Sequence, residues 1–343
     1  MSALTALAPR CVSVTVTARL HLGFLDLNGG LGRRFGSMGL SIREPRGRLT
    51  LSRGAATQVE GVERERASRY LSTMQQHKKL GAGYRLTINE AIPAHAGLGS
   101  GTQLALGIAA ALRHLHGLGL DTSGDATALD RGARSGVGIG LFETGGFVVD
   151  GGRSATTAAP SILCRMDFPE AWRVLLVLDP ARQGIHGEQE RAAFRSLGPM
   201  AATEANEICR LAMMGALPSI RERDIAGFGA AITRIQRLLG DYFAPAQGGR
   251  RFISPDVDAI LDVLAAEGAH GIGQSSWGPT GFAFAADERE AERLARSARR
   301  RPESRGLDIR VVSALNAGAQ IIDVAEWAQR PTRARRRPVA EGG

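Results

Sequence analysis

Residues 11–17 alternate apolar and polar side chains, the two-residue period of a strand with one face in a core. Residues 49–51 and 84–89 read the same way. Leu104, Ile108, Leu112 and Leu115 then recur at helical spacing within residues 102–116. A glycine-rich stretch precedes a short strand at 147–149, and residues 173–178 carry an unbroken apolar run of the kind buried on both faces of a sheet. Helical periodicity takes over at 188–197, 203–214, 220–239 and 255–267, interrupted at Gly198-Pro199, at Pro218 and at Gly248-Gly249. Strands expected at 281–285 and 308–312 flank a last helix over 288–301. This order predicts an α+β chain of two domains, residues 1–165 and 166–325, with the boundary near 155–170.

The junction between the strand at 84–89 and the helix at 102–116 reads Pro93-Ala94-His95-Ala96-Gly97-Leu98-Gly99-Ser100-Gly101-Thr102-Gln103. Small residues let backbone N–H groups approach an anion closely. The free N–H groups of the first helical turn, at the positive end of the helix dipole, add attraction. A plain tight turn with a helix cap has the same glycine content, so the loop alone does not decide between the two.

With 343 residues the chain is long enough for about two domains. Hydrophobic residues make up 43%, and no apolar run approaches the ~20 residues needed to span a bilayer, so a soluble protein without membrane segments is expected. Residues 1–10 lack the basic start and long apolar centre of a secretory signal. Cys11, Cys164 and Cys209 lie far apart and are odd in number, which fits a reducing cytoplasm better than a disulfide framework or a zinc site. The net charge of +9 suits a nucleic-acid binder, but much of the excess is arginine within 293–305 and 330–337. The first stretch overlaps a helix with interspersed acids. The second belongs to a basic tail, 326–343, with the composition of a disordered segment. Aromatics are 5% and do not interleave with the bases, so RNA binding through the tail is a minor alternative.

The loop at 93–103 resembles the phosphate loop of the GHMP kinase superfamily. Two further segments stand where that superfamily has its other motifs: Thr17-Ala18-Arg19-Leu20-His21-Leu22-Gly23-Phe24 near the amino end, and Gly271-Ile272-Gly273-Gln274-Ser275-Ser276-Trp277-Gly278-Pro279-Thr280 near the carboxyl end. The resemblance implies an amino-terminal domain like domain 2 of ribosomal protein S5, then a ferredoxin-like domain, with the active site between them. It also exposes departures. Gly101 stands where the kinase loop usually has a second serine, and residues 138–142 hold no carboxylate where many of these kinases place an activating aspartate. An unassisted alcohol is a poor nucleophile at neutral pH, which makes an ATP-dependent small-molecule kinase the weaker alternative.

Arg19-Leu20-His21-Leu22-Gly23-Phe24-Leu25-Asp26-Leu27, Phe142-Glu143-Thr144-Gly145-Gly146-Phe147 and residues 274–280 are similar to the β-ribofuranosylaminobenzene 5′-phosphate synthase family, as are Gly184-Ile185-His186-Gly187-Glu188, Glu190 and Phe194. The activity this implies joins phosphoribosyl pyrophosphate to 4-aminobenzoate, with loss of carbon dioxide and pyrophosphate, in methanopterin biosynthesis. On that reading Gly97, Leu98, Gly99, Ser100, Gly101 and Thr102 bind pyrophosphate, with magnesium beside it on Asp26 and Glu143. Arg19 and His21 hold a substrate phosphate or carboxylate, and His186 donates to an anion. Trp277 stacks on a flat ring while Gln274, Ser275 and Ser276 hydrogen-bond around it. His95, His114, His116 and His270 read as loop or helix-end residues, and Asp179 as either a site carboxylate or a turn residue. A cytoplasmic homodimer is expected.

Overall fold

The computed structural model describes residues 11–81, 83–156 and 159–324; the tail at 326–343 and residues 1–10 lie outside them. Strand β1 (Cys11–Asp26) buries every second residue as far as Leu20, then buries His21, Leu22, Gly23 and Phe24 in succession because both its faces are covered there. It pairs antiparallel with the long β2 (Phe35–Gly54), whose second half pairs with β4 (Gly83–Glu90) and first half with β5 (Phe147–Asp150). β3 (Gln58–Gly61) runs parallel to β4, and β6 (Ile162–Met166) is antiparallel to β5. Helices α1 (Arg64–His77), α2 (Ser100–Leu115), α3 (Thr122–Ala128) and α4 (Val137–Thr144) complete this half, with α2 against β1 and β2.

The run at 173–178 is β7 (Arg173–Leu178). Helices α5 (Gly187–Ser196), α6 (Ala202–Leu211), α7 (Leu217–Glu222), α8 (Ile225–Phe243) and α9 (Pro255–Ala266) lead to β8 (His270–Gln274) and β9 (Gly281–Ala285), then α10 (Glu288–Arg299) and β10 (Asp308–Ser313). The second sheet has the antiparallel order β10-β7-β9-β8, the split β-α-β-β-α-β arrangement of ferredoxin-like domains. Leu175 and Val177 pack with α9 and α10, whereas Val174 and Leu176 join the larger core that includes α8. Both faces are thus covered, which is why the run does not alternate.

Three sequence expectations are corrected. The helix at 203–214 ends at Leu211 and continues through a π-helical turn, Ala212–Ala216, into α7. Pro218 therefore lies within a continuous helical run, directly after the π-helical turn, and makes no break. The break falls instead inside the helix expected at 220–239. Arg223 is left-handed there, with φ 59°, and Asp224 caps α8 by accepting the Gly227 N–H at 3.0 Å. Finally, β11 (Gln320–Asp323) pairs antiparallel with β1, so the span 166–325 ends in a strand of the first sheet.

Candidate active site

Gly97 and Gly99 are both left-handed, at φ 81° and 78°. A Cβ on Gly97 would stand 2.2 Å from the Ser275 carbonyl oxygen, and one on Gly99 2.7 Å from Cγ of Arg19. Glycine is needed at both positions so that the loop can lie against the 275–278 turn and Arg19 can pass beside it. A register shift between Thr17 and Arg19 turns the Arg19 N–H to the Leu98 carbonyl at 3.0 Å, and Nη1 of Arg19 donates to the Gly97 carbonyl at 3.3 Å. Gly99 then caps α2 without a side-chain partner, and no acid occupies the first turn. The first-turn N–H groups and the positive helix end are thus left without a side-chain partner at this loop.

These residues line a cavity of about 420 Å³. Gly97, Gly99, Ser100, Gly101 and Thr102 form one wall, and Gly184 to Gly187 with Ser276, Trp277 and Gly278 the other. The walls are tied by Gly184 N–H to the His95 carbonyl at 2.8 Å and, within the far wall, Ile185 N–H to the Trp277 carbonyl at 3.0 Å. Arg19, Arg66, Arg69 and Arg131 bring four guanidinium groups to the cavity. Burial lowers the Arg19 pKa to about 10, so it stays charged at neutral pH. Among the described lining residues the one carboxylate is Glu190, held by Arg134 at 2.7 Å and raised above the usual carboxylate range by burial. His186 stacks on His95, ring centroids 3.7 Å apart, and its Nδ1 lies 2.8 Å from the Gly184 carbonyl. That contact places a proton on Nδ1 and leaves Nε2 free. His95 is thus a cavity residue and not merely part of a loop, with its pKa below the ordinary histidine value through burial and the neighbouring His186 and Arg66.

Several expected site residues serve other ends. His21 is buried and points to the far side of the 276–277 turn, into a small space of about 30 Å³ among Phe24, Phe243 and Trp277. Burial and the Arg19 charge push its pKa down to about 3, so it is neutral and holds no anion. Ser275 is a strut: its hydroxyl donates to the Gly97 carbonyl at 2.8 Å and accepts the His21 N–H at 3.0 Å. The Gln274 amide is consumed by Gln247, the Ser276 carbonyl and the Ile253 N–H. Leu98 points into the core, and its carbonyl accepts the Arg19 N–H. Trp277 is 4% exposed and packs on Phe194 and Phe243, edging both spaces.

Asp26 and Glu143 do not come together at the loop as ligands of an ion. Asp26 accepts the Asn28 and Gly29 N–H groups at 2.7 and 2.9 Å, capping a turn away from the loop. Glu143 is exposed near the far end of α4 and does not line the cavity. Among the described residues no three His, Cys, Asp or Glu side chains gather as a metal site. Asp179 caps the turn after β7 and accepts from Ser254 at 2.6 Å. The residues that periodicity and motif reading missed are Arg66, Arg69, Tyr70 and Arg131; only their basic and phenolic character was available as a signal.

Comparison with known proteins agrees with this architecture. Residues 65–142 match the GHMP kinases N terminal domain model and residues 216–304 the GHMP kinases C terminal model. The chain is similar to homoserine kinase from Cytophaga hutchinsonii, with a TM-score of 0.65 and 14% identity over 94% of this chain and 99% of that one. It is likewise similar to L. major mevalonate kinase, with a TM-score of 0.66 and 14% identity over 88% and 96%. At such identities the likeness concerns the fold. Sequence relatives are nearer: beta-ribofuranosylphenol 5′-phosphate synthase of Archaeoglobus fulgidus is 33% identical over 89% of this chain and 97% of its own, and that of Methanothermobacter thermautotrophicus 31% identical over 78% and 86%. With that identity spread over both halves of a GHMP fold, the chain belongs to the beta-ribofuranosylphenol 5′-phosphate synthase family.

Proposed function

We propose that the protein is a phosphoribosyltransferase that joins phosphoribosyl pyrophosphate to a para-substituted benzoate with loss of carbon dioxide and pyrophosphate. The observation that carries this reading is a phosphate loop flanked by four guanidinium groups, where the one described carboxylate is already paired with Arg134. Such a cavity suits a polyanion, and its described lining offers no unpaired carboxylate of the kind that activates an alcohol in a kinase.

In the proposed reaction the anomeric C–O bond breaks and its electron pair leaves with pyrophosphate. Loop N–H groups, the Ser100 and Thr102 hydroxyls and Arg19 face the developing charge. The ring carbon bearing the carboxylate attacks the anomeric carbon from the opposite side, which turns an α donor into a β product. The carboxyl C–C electron pair then returns to the ring, carbon dioxide departs and aromaticity is restored. The acceptor reads as 4-aminobenzoate from motif similarity, while the relatives' names specify a ribofuranosylphenol and so point to the hydroxyl analogue. Methanopterin biosynthesis is the proposed pathway. Asp26 and Glu143 do not fit a magnesium site at the loop.

Purified protein with phosphoribosyl pyrophosphate and carboxyl-labelled 4-aminobenzoate or 4-hydroxybenzoate tests the reading. Labelled carbon dioxide with an equal amount of pyrophosphate is expected. Absence of both, alongside ADP formation from ATP and a small alcohol, overturns it.

A further inference from the structure

Gly101, the departure from the kinase loop, faces a cluster that the proposed chemistry has not used. A Cβ there would lie 3.5 Å from Nη1 of Arg66, 3.6 Å from Nη1 of Arg131 and 3.7 Å from the Tyr70 hydroxyl. Three hydrogen-bond donors therefore converge on one point at the start of α2. Arg66 is held from behind, with its Nε donating to Glu63 at 2.8 Å and its Nη2 ion-paired to the same carboxylate at 2.6 Å, which leaves Nη1 toward the loop. Arg131 sits over the Tyr70 ring, 5.4 Å from its centroid. Tyr70 is 6% exposed, and among the described residues its hydroxyl and Nε of Arg131 are buried without hydrogen-bond partners. Buried donors without acceptors are costly and mark a place where a ligand completes the bonding.

We propose that Arg66, Tyr70 and Arg131 form a second anion subsite over Gly101, which takes one phosphoryl group of a pyrophosphate while the other rests on the first-turn N–H groups of α2. Removing the side chain at 101 opens the path between the two positions. The guanidinium pair supplies positive charge at the point where the second serine of the kinase-like loop is missing. Arginine suits the task because its planar fork meets phosphate oxygens in pairs and keeps its charge. The inference rests on reading the cavity as a pyrophosphate site, yet it concerns binding and is separable from the transferase reaction.

Calorimetric titration with inorganic pyrophosphate and, separately, orthophosphate, at fixed ionic strength with a chelator present, tests it on the full chain. Wild-type protein is expected to bind pyrophosphate at least about tenfold tighter than orthophosphate, since charge-assisted pairs of this type are the strong ones. Arg66→Met and Arg131→Met should each remove about tenfold from pyrophosphate affinity while moving orthophosphate affinity by less than about twofold. Tyr70→Phe keeps the ring under Arg131 and should weaken pyrophosphate alone, by about threefold or more. Equal binding of the two anions by wild-type protein overturns the subsite. So does a pyrophosphate preference that arises only with added magnesium, or equal weakening of both anions in the arginine variants. Pyrophosphate selectivity without carbon dioxide release would sink the proposed reaction and leave the subsite standing; release with selectivity indifferent to Arg66 and Arg131 would do the reverse.

Discussion

The two walls of the cavity carry motifs of comparable prominence in the sequence, and they do different work. In the 97–102 wall, glycines clear space and backbone N–H groups face the cavity, while Arg19 runs alongside. Behind the opposite wall, which Ser276, Trp277 and Gly278 contribute to, the amide of Gln274 and the hydroxyl of Ser275 are spent on holding strands and loops together. A motif of polar residues thus has two origins. Polar groups can be fixed in place because they meet a ligand, or because they fasten the elements that do.

The largest effect should come where the walls touch. Gly97→Ala would drive a Cβ to 2.2 Å from the Ser275 carbonyl oxygen at a positive φ, and Gly278→Ala would meet the Ala96 carbonyl oxygen equally closely. Each should cost about 2–4 kcal/mol in urea unfolding and reduce carbon dioxide release by more than about 100-fold. If Gly97→Ala retains wild-type activity, the walls do not need their observed contact.

Arg19→Met separates the walls by chemistry. It removes a partly buried positive charge beside the loop, and its expected signature is a rise in the KM for phosphoribosyl pyrophosphate of about 100-fold, larger than any change in KM for the benzoate. An equal rise for both substrates would place Arg19 in general architecture instead.

His21 gives the comparison a pH axis. Its folded pKa of about 3 lies below the ordinary 6.5, so between these values the unfolded chain takes up a proton that the folded chain refuses. Stability should therefore fall as pH drops from about 6.5 toward 3, by on the order of a few kcal/mol, and level off below. His21→Asn should flatten that part of the stability curve measured by urea titration; an unchanged slope would show that other groups carry it.

How much of this was legible follows from locality. The run at 173–178 and the helix at 255–267 are set by near-neighbour patterning and appear as strand and helix in those places, while the glycine loop before α2 ends at Gly99, two residues short of the expected helix start. The break at Arg223 was hidden because its cause is a backbone conformation and a cap at Asp224, while Pro218 offered a more visible but harmless signal. Arg66 and Arg69 belong to no motif, and the hydrophobic pattern did not single out the helix α1 that carries them. They become site residues only because α1 packs against α2, a contact no short window contains. Asp26 and Glu143 erred in the other direction: each belongs to a recognisable motif, yet one caps a turn and the other faces solvent.

Ser275→Ala and Glu143→Gln refine the contrast at smaller amplitude. Removing the Ser275 hydroxyl strips a donor from the Gly97 carbonyl and an acceptor from the His21 N–H, both buried, and should lower stability by about 1–3 kcal/mol. Because the hydroxyl faces these backbone groups and not the cavity, the KM for phosphoribosyl pyrophosphate should move by less than about threefold once the variant is folded. Glu143→Gln should change neither quantity measurably, since the side chain is exposed and outside the cavity lining. A loss of activity in Glu143→Gln at unchanged stability would bring the end of α4 into the reacting site, and with it a carboxylate that the two-wall arrangement does not contain.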